Sequence, residues 1–264
     1  MTSLREHALQ VLCLADPAAK AGAARALFDA VDAHPVGAEA PLQAIAALPG
    51  RPARPRLVAP KDVPARSPFT LAGRAGLLHA VAHIEFNAIN LALDAVWRFA
   101  GLPDAYYRDW LRVASEEALH FTLLCEHLQS LGTDYGDFDA HDGLWRMVER
   151  TAGDVTARMA LVPRTLEARG LDATPPLQAK LRRAGDLRAV DILGVILHDE
   201  IGHVAIGNHW YRWLCARHGQ DPVALYRELA MRHGAPRLRP PFNQEARRAA
   251  GFTESELTEL SATG

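Results

Sequence analysis

Two Glu-x-x-His motifs, Glu117-Ala-Leu-His120 and Glu200-Ile-Gly-His203, are the residues of this chain best spaced to do chemistry. A step of three residues on a helix turns about 300°, so the carboxylate and the imidazole share one face, a turn apart. They can then reach one metal ion or a bridged pair. Carboxylate and imidazole donors together suit iron or manganese. A single such pair also has a bland reading, as two neighbours on an exposed helix face. The second copy, and what precedes each copy, weighs against that. Glu85 lies 32 residues before Glu117, and Glu167 lies 33 residues before Glu200. The chain therefore runs Glu, turn, Glu-x-x-His twice, at nearly one spacing.

This is the ligand plan of ferritin-like carboxylate-bridged dimetal bundles, in which two helices give one Glu each and two others give Glu-x-x-His. The expected ligands are Glu85, Glu117, His120, Glu167, Glu200 and His203, around two metal ions, iron or else manganese. Helix geometry supports the first half. The turn centres near Leu102, with Glu85 17 residues before it and Glu117 15 after it. At about 1.5 Å per residue both lie roughly 23–25 Å from the turn, so antiparallel packing brings them level. Glu85 is set among Ala82, Ile84, Phe86, Ala88 and Ile89, and Glu200 among Ile196, Leu197, Ile201 and Val204. A lone carboxylate in such a helix is costly to bury unless it is paired, protonated or metal-bound. Glu167 has a complication, because Pro163 inside the same expected helix must kink or unwind it. Glu149, the other carboxylate available there, stands 51 residues from Glu200 and breaks the repeat. A distorted turn beside a metal site is consistent with where irregular helical turns recur.

The elements that must position these residues read as helices throughout, with no period-two strand pattern. Residues 3–48 suggest two short helices, the second started by Asp16-Pro17 as N-cap and first-turn proline. Six prolines between Pro49 and Pro68 call for extended, polyproline-like chain, as a linker or an arm. Residues 71–100 form a long apolar helix, and Gly101-Leu102-Pro103 turns the chain into a second helix over 104–131. A Gly/Asp-rich stretch leads to a third helix ending near Ala168. Gly170 to Pro176 breaks the chain, and a fourth long helix covers about 187–218. The tail holds one more helical stretch, a Pro/Arg-rich segment and a final helix near Glu254–Leu260. The expected organisation is an N-terminal helical extension and arm (1–70), a ferritin-like four-helix bundle (71–218) and a C-terminal extension packing on it (219–264). Gly194, Gly202 and Gly207 each lower helix propensity by about 1 kcal/mol relative to Ala. Close helix approach or room for a ligand would explain them.

Other residues that could do chemistry receive plainer readings. His79 and His83 are one turn apart, but His83 stands about 200° round the helix from Glu85 and suits a hydrogen-bonded structural role. Glu116 and Asp199 point aside from the ligand glutamates, as solvated carboxylates or as partners of the histidines. The five tryptophans read as core or interface. Arg237, Arg239, Arg247 and Arg248 could bind an anionic ligand, with a solvated surface the simpler reading.

Bulk properties narrow the classes of function. The 264 residues suffice for a sizeable core, and a net charge of −2 offers no global electrostatic case for nucleic acid or an anionic membrane. Three scattered cysteines (13, 125, 215) argue against a disulfide framework and fit a reducing cytoplasm. The charged N-terminus does not read as a signal peptide, and no apolar run suggests a membrane span. The expectation is a soluble, cytoplasmic protein.

Four stretches carry a family resemblance: Leu78-His79-Ala80-Val81-Ala82-His83-Ile84-Glu85, Glu116-Glu117-Ala118-Leu119-His120, Leu166-Glu167-Ala168-Arg169-Gly170-Leu171-Asp172, and Asp199-Glu200-Ile201-Gly202-His203-Val204-Ala205-Ile206-Gly207-Asn208. Together with the Pro-rich segment and Pro240-Pro241-Phe242-Asn243, they resemble the DUF455 family of ferritin-like proteins from about residue 50 onward. The resemblance implies a ferritin-like fold and a dimetal site, and supplies no reaction. The same ligand plan is more distantly similar to that of a di-iron tRNA-modifying hydroxylase. The leading expectation is an oxidoreductase that uses O₂ or peroxide, such as a hydroxylase, with a small-molecule substrate and an electron donor, as monomer or homodimer. Iron handling or storage, a non-catalytic metal-binding bundle, an RNA-acting hydroxylase and a manganese catalase-like activity stand as alternatives.

Overall fold

A computed structural model describes residues 2–44, 46–64 and 66–263, with side chains to residue 260. Among the described residues the chain is helical, without strands; a single isolated parallel bridge joins Leu57 and Ala140. No helix among them is long and apolar enough to cross a membrane. The chain divides into two compact units, Met1–Gly143 and Leu144–Gly264.

In the first unit, α1 (Leu4–Cys13) and α2 (Pro17–Asp29) are the two short helices expected near the N-terminus. The Asp16 carboxylate caps α2 by accepting from the Ala19 N–H at 2.7 Å. The proline-rich segment, over its described residues, forms bends and turns with one 3₁₀ turn, Pro60–Asp62, and no helix longer than that. It is held along the loop before residue 143 by Arg51–Asp142 and Arg56–Asp139 ion pairs and by Val58 N–H donating to the Ala140 carbonyl at 2.8 Å. The centre of the unit is a hairpin of two long helices, α3 (Leu71–Arg98) and α4 (Asp104–Ser130). α1 packs on α3 and α2 on α4, so both long helices are covered. That is why α3 buries nearly every residue from Ala82 to Trp97 rather than one stripe.

The hairpin turn is latched from several directions. Gly101 takes a φ of +73°, which a residue with a Cβ adopts only at a cost. The Tyr107 hydroxyl accepts from Leu102 N–H at 3.2 Å and donates to the Phe99 carbonyl at 3.0 Å. Buried Arg5 donates to the Val96 and Trp97 carbonyls at the end of α3 and to those of Gly37, Ala38 and Ala40. Orphan carbonyls at a helix C-terminus are thereby satisfied by a cation. Lys20, also buried, donates to the Gly50 carbonyl at 2.7 Å and Asn90 Oδ1 at 2.6 Å, tying α2 and the proline-rich segment to α3.

The second unit departs from expectation in three places. The third helix does not run unbroken to Ala168. It stops at the end of α5 (Gly143–Arg150) and restarts as α6 (Val155–Leu161), because Thr151-Ala-Gly-Asp154 supplies a turn and an N-cap. The Asp154 carboxylate accepts from the Ala157 N–H at 2.9 Å. α6 runs into a π-helical turn, Val162–Glu167, and then α7 (Ala168–Arg183). Conversely, the expected break from Gly170 to Pro176 is absent, since α7 passes straight through Pro175 and Pro176. Pro175 lacks the N–H that would reach the Leu171 carbonyl. Asn243 Nδ2 donates to that carbonyl instead, at 3.2 Å.

A tight turn with Gly185 at φ +79° leads into α8 (Leu187–Arg217), N-capped by Asp186. α8 packs along α6, the π turn and α7. The tail continues as α9 (Pro222–Arg232), α10 (Gln244–Ala249) and α11 (Glu254–Thr263); α10 is a helix beyond the sequence reading. Ala168, Leu171, Val204, Ala246 and Ala250 form an apolar cluster that fixes α7, α8 and α10 to one another.

Candidate metal centre

Glu85 and Glu117 each lie thirteen residues from the hairpin end of their helices, α3 and α4. They therefore come level, as the sequence spacing requires, and His120 stands one turn further along α4. The His120 Nδ1 is 3.3 Å from Glu85 Oε2 and 3.2 Å from Glu117 Oε2. One ligand atom from each residue lies within 4.8 Å of the others. The group is enclosed: Glu85 is 6% exposed, Glu117 1% and His120 0%. Phe86 and Phe121 pack against each other beside it, their ring centroids 5.4 Å apart.

The electrostatics follow from that enclosure. Burial drives the Glu85 carboxyl well above the ordinary carboxylate range, and repulsion from Glu117 adds to it, while His120 pulls the other way. Two carboxylates and an imidazole that all point at one small buried space favour either a retained proton or a cation. A divalent ion answers both carboxylates at once and leaves neutral imidazole as a donor.

In the second unit, Glu200 and His203 are placed by α8. Glu200 is nearly buried and His203 fully so, with His203 Nδ1 3.2 Å from Glu200 Oε2. The pair repeats the geometry of Glu117 and His120. Glu167 closes the π turn and is also buried. Gly170, three residues on, faces α8, and a Cβ there would stand 3.5 Å from Glu200 Cγ. Glu167 makes no three-residue cluster with Glu200 and His203 as close as that of the first unit, among the described residues.

The distortion expected from Pro163 is the π turn itself. The Thr165 hydroxyl donates to the Ala160 carbonyl at 2.8 Å inside it. Of the three glycines of α8, Gly207 is the close approach: a Cβ would meet Pro163 Cβ at 2.5 Å. Gly194 has ordinary room beside Gln178, and Gly202 has open space.

His79 and His83 serve structure. His79 Nε2 accepts from the Gly136 N–H at 2.9 Å. His83 accepts from the Tyr135 hydroxyl at 2.9 Å and donates to the His141 carbonyl at 3.2 Å. Burial holds both far below the ordinary histidine value, to about 4 and about 3. Arg247 does not lie on a solvated surface; it is fully buried against Asp172. Arg164, in the π turn, is buried too, and its only sequence signal is its place directly after the apolar run from Met159 to Pro163.

Comparison with known proteins gives a family and a relative, with no reaction attached. A protein of Haemophilus influenzae, named only as uncharacterized, is 55% identical over 213 residues, covering 78% of this chain and 74% of its own. No solved structure matches. Residues 13–258 match the family described as protein of unknown function (DUF455), a span that holds both Glu-x-x-His helices and the glutamates before them. This chain belongs to the DUF455 family.

Proposed function

We propose that this chain is a ferritin-like dimetal carboxylate protein in which Glu85, Glu117, His120, Glu167, Glu200 and His203 together hold two ions, iron ahead of manganese. The observation that carries this is the Glu85–Glu117–His120 cluster, two carboxylates and an imidazole suited to iron, buried at one level of an apolar hairpin. The repeated Glu, turn, Glu-x-x-His plan extends the reading to the second set. We read the activity as an O₂- or peroxide-dependent oxidation of a small molecule, such as a hydroxylation, fed by an external electron donor.

Bound iron would supply the redox chemistry. The chain's own residues do the rest. In the metal-free protein the Glu85 carboxyl retains a proton, which a cation displaces on entry. The Nδ1 of His120 and of His203 each stand beside a carboxylate oxygen, which sets the imidazole orientation before any ion binds. The buried apolar walls keep bulk water from the site.

The test is metal analysis of natively purified protein, then anaerobic reduction and exposure to O₂. Two irons per chain and an optical change on oxidation are expected. His203→Ala and Glu85→Gln should each lower the content below one iron per chain if the six ligands serve one centre. Loss of a single iron in each variant would mean two independent sites. No metal uptake at all would end the proposal, and a large hollow oligomer that mineralises iron would assign storage instead.

A further inference from the structure

The second unit holds a cavity of about 360 Å³ that the proposed metal chemistry does not use. Its walls come from the π turn, α9, the Pro/Arg-rich segment, α10 and α11. That volume lies within the range of small-molecule sites. Most of the wall is apolar, from Val223, Tyr226, Leu238 and Phe252, with Met231 at 78% exposure a flexible apolar residue.

Against this wall lie two buried guanidinium groups, Arg164 and Arg247. Each is held rigidly. Arg164 pairs with Glu256 at 2.5 Å and Asn208 at 2.9 Å, and Arg247 pairs with Asp172 at 2.6 Å. The Phe252 ring lies between them, 5.0 Å from the Arg164 guanidinium carbon and 5.3 Å from that of Arg247. Each still has a buried N–H with no hydrogen bond inside the protein: Arg164 Nε and Arg247 Nη1. A buried donor left unpaired is costly, and a ligand oxygen in the cavity would satisfy it.

The charges at the wall are unequal as well. Glu256 serves two arginines, with Oε1 on Arg164 and Oε2 on Arg212. Although burial alone would raise its carboxyl, Arg164, the Thr253 N–H and Arg212 hold it below the ordinary range, so it is ionised. Two cations on one carboxylate leave positive charge over, and Arg237 adds another guanidinium to the lining. Asp172 already balances Arg247, and Glu259 balances Arg227.

We propose that this cavity binds a small amphipathic monocarboxylate, its head taken by the spare N–H groups of Arg164 and Arg247 and its apolar body by the Tyr226–Phe252–Leu238 wall. An anionic head matches the positive charge at the two buried arginines, and an apolar body matches the wall. The proposal stands whether or not the metal centre is as described above.

The test is calorimetric titration of the full chain, metal-free and metal-loaded, with octanoate, octanol, octyl phosphate and inorganic phosphate. Octanoate should bind one per chain in both forms, and octanol roughly ten-fold more weakly, the worth of charge-assisted hydrogen bonds. Arg247→Lys keeps the charge but loses Nη1, and should weaken octanoate roughly ten-fold while leaving octanol unchanged. Ala230→Trp, on the half-buried face of α9, should fill the cavity and abolish both without altering helix content or metal content. Equal affinity for octanoate and octanol would overturn the proposal, as would full octanoate binding by Ala230→Trp. Competition by inorganic phosphate or octyl phosphate at octanoate's own concentration would overturn the choice of a monocarboxylate.

Discussion

At Glu85, burial and the neighbouring Glu117 raise the proton affinity of a carboxyl that a metal ion would need deprotonated. The residue is thus expensive to the metal-free fold and useful to a cation. Glutamine has nearly the shape of the protonated acid and carries no charge, so Glu85→Gln removes the conflict together with the ligand. The expected outcome is a metal-free variant at least as thermally stable as the parent at pH 7, with the stabilisation by added Fe²⁺ lost. A variant that unfolds several degrees lower without metal would show that Glu85 serves packing first. The six candidate ligands were nominated by the repeat of their types and spacing, and the cluster of Glu85, Glu117 and His120 follows that reading. Arg164 and Arg247 were not legible in the sequence. Their burial depends on Glu256, Asp172 and Phe252, which lie 92, 75 and 88 or 5 residues away in the chain.

At the scale of elements, the π turn and α8 fit because residue 207 has no side chain. Pro163 cannot donate a backbone hydrogen bond, and the bulged turn it helps create fills the space beside Gly207. Gly207→Val places carbon atoms where Pro163 already sits, and should cost about 1–3 kcal/mol as overpacking. Gly202→Ala, facing open space, should be neutral or stabilising by up to about 1 kcal/mol. Chemical denaturation of both variants checks the contrast, and equal effects would refute the close-approach account. Helix limits were legible where a local signal acts alone, as at Asp16-Pro17 and Gly101. They were not legible at Pro175-Pro176, where the helix continues and Asn243, far along the chain, donates to the Leu171 carbonyl that Pro175 leaves bare.

Over the whole molecule, pH bears on the first unit through His79 and His83. Both titrate in the fold below the ordinary value of 6.5, at about 4 and about 3. Between those values and 6.5 the unfolded chain takes up protons that the folded one refuses. The stability is therefore complete above 6.5 and is lost as pH falls, by up to about 1.4 kcal/mol per pH unit for each histidine. Urea unfolding at pH 7.5, 6 and 5 should show this slope. His83→Gln keeps polar contacts without titrating and should flatten the slope by up to one proton; an unchanged slope would place the effect elsewhere.

From the residues alone came the all-helical class, the paired Glu-x-x-His motifs, the level register of Glu85 and Glu117, and the distortion at Pro163. Each follows from helical periodicity, the 1.5 Å rise or the missing proline N–H, which act over a few neighbouring residues. Tertiary structure decided that α7 continues through two prolines, that Gly207 is a contact rather than a gap, and that Arg247 is buried. Those outcomes rest on hydrogen bonds, ring faces and carboxylates brought from elsewhere in the chain, and no local pattern encodes them.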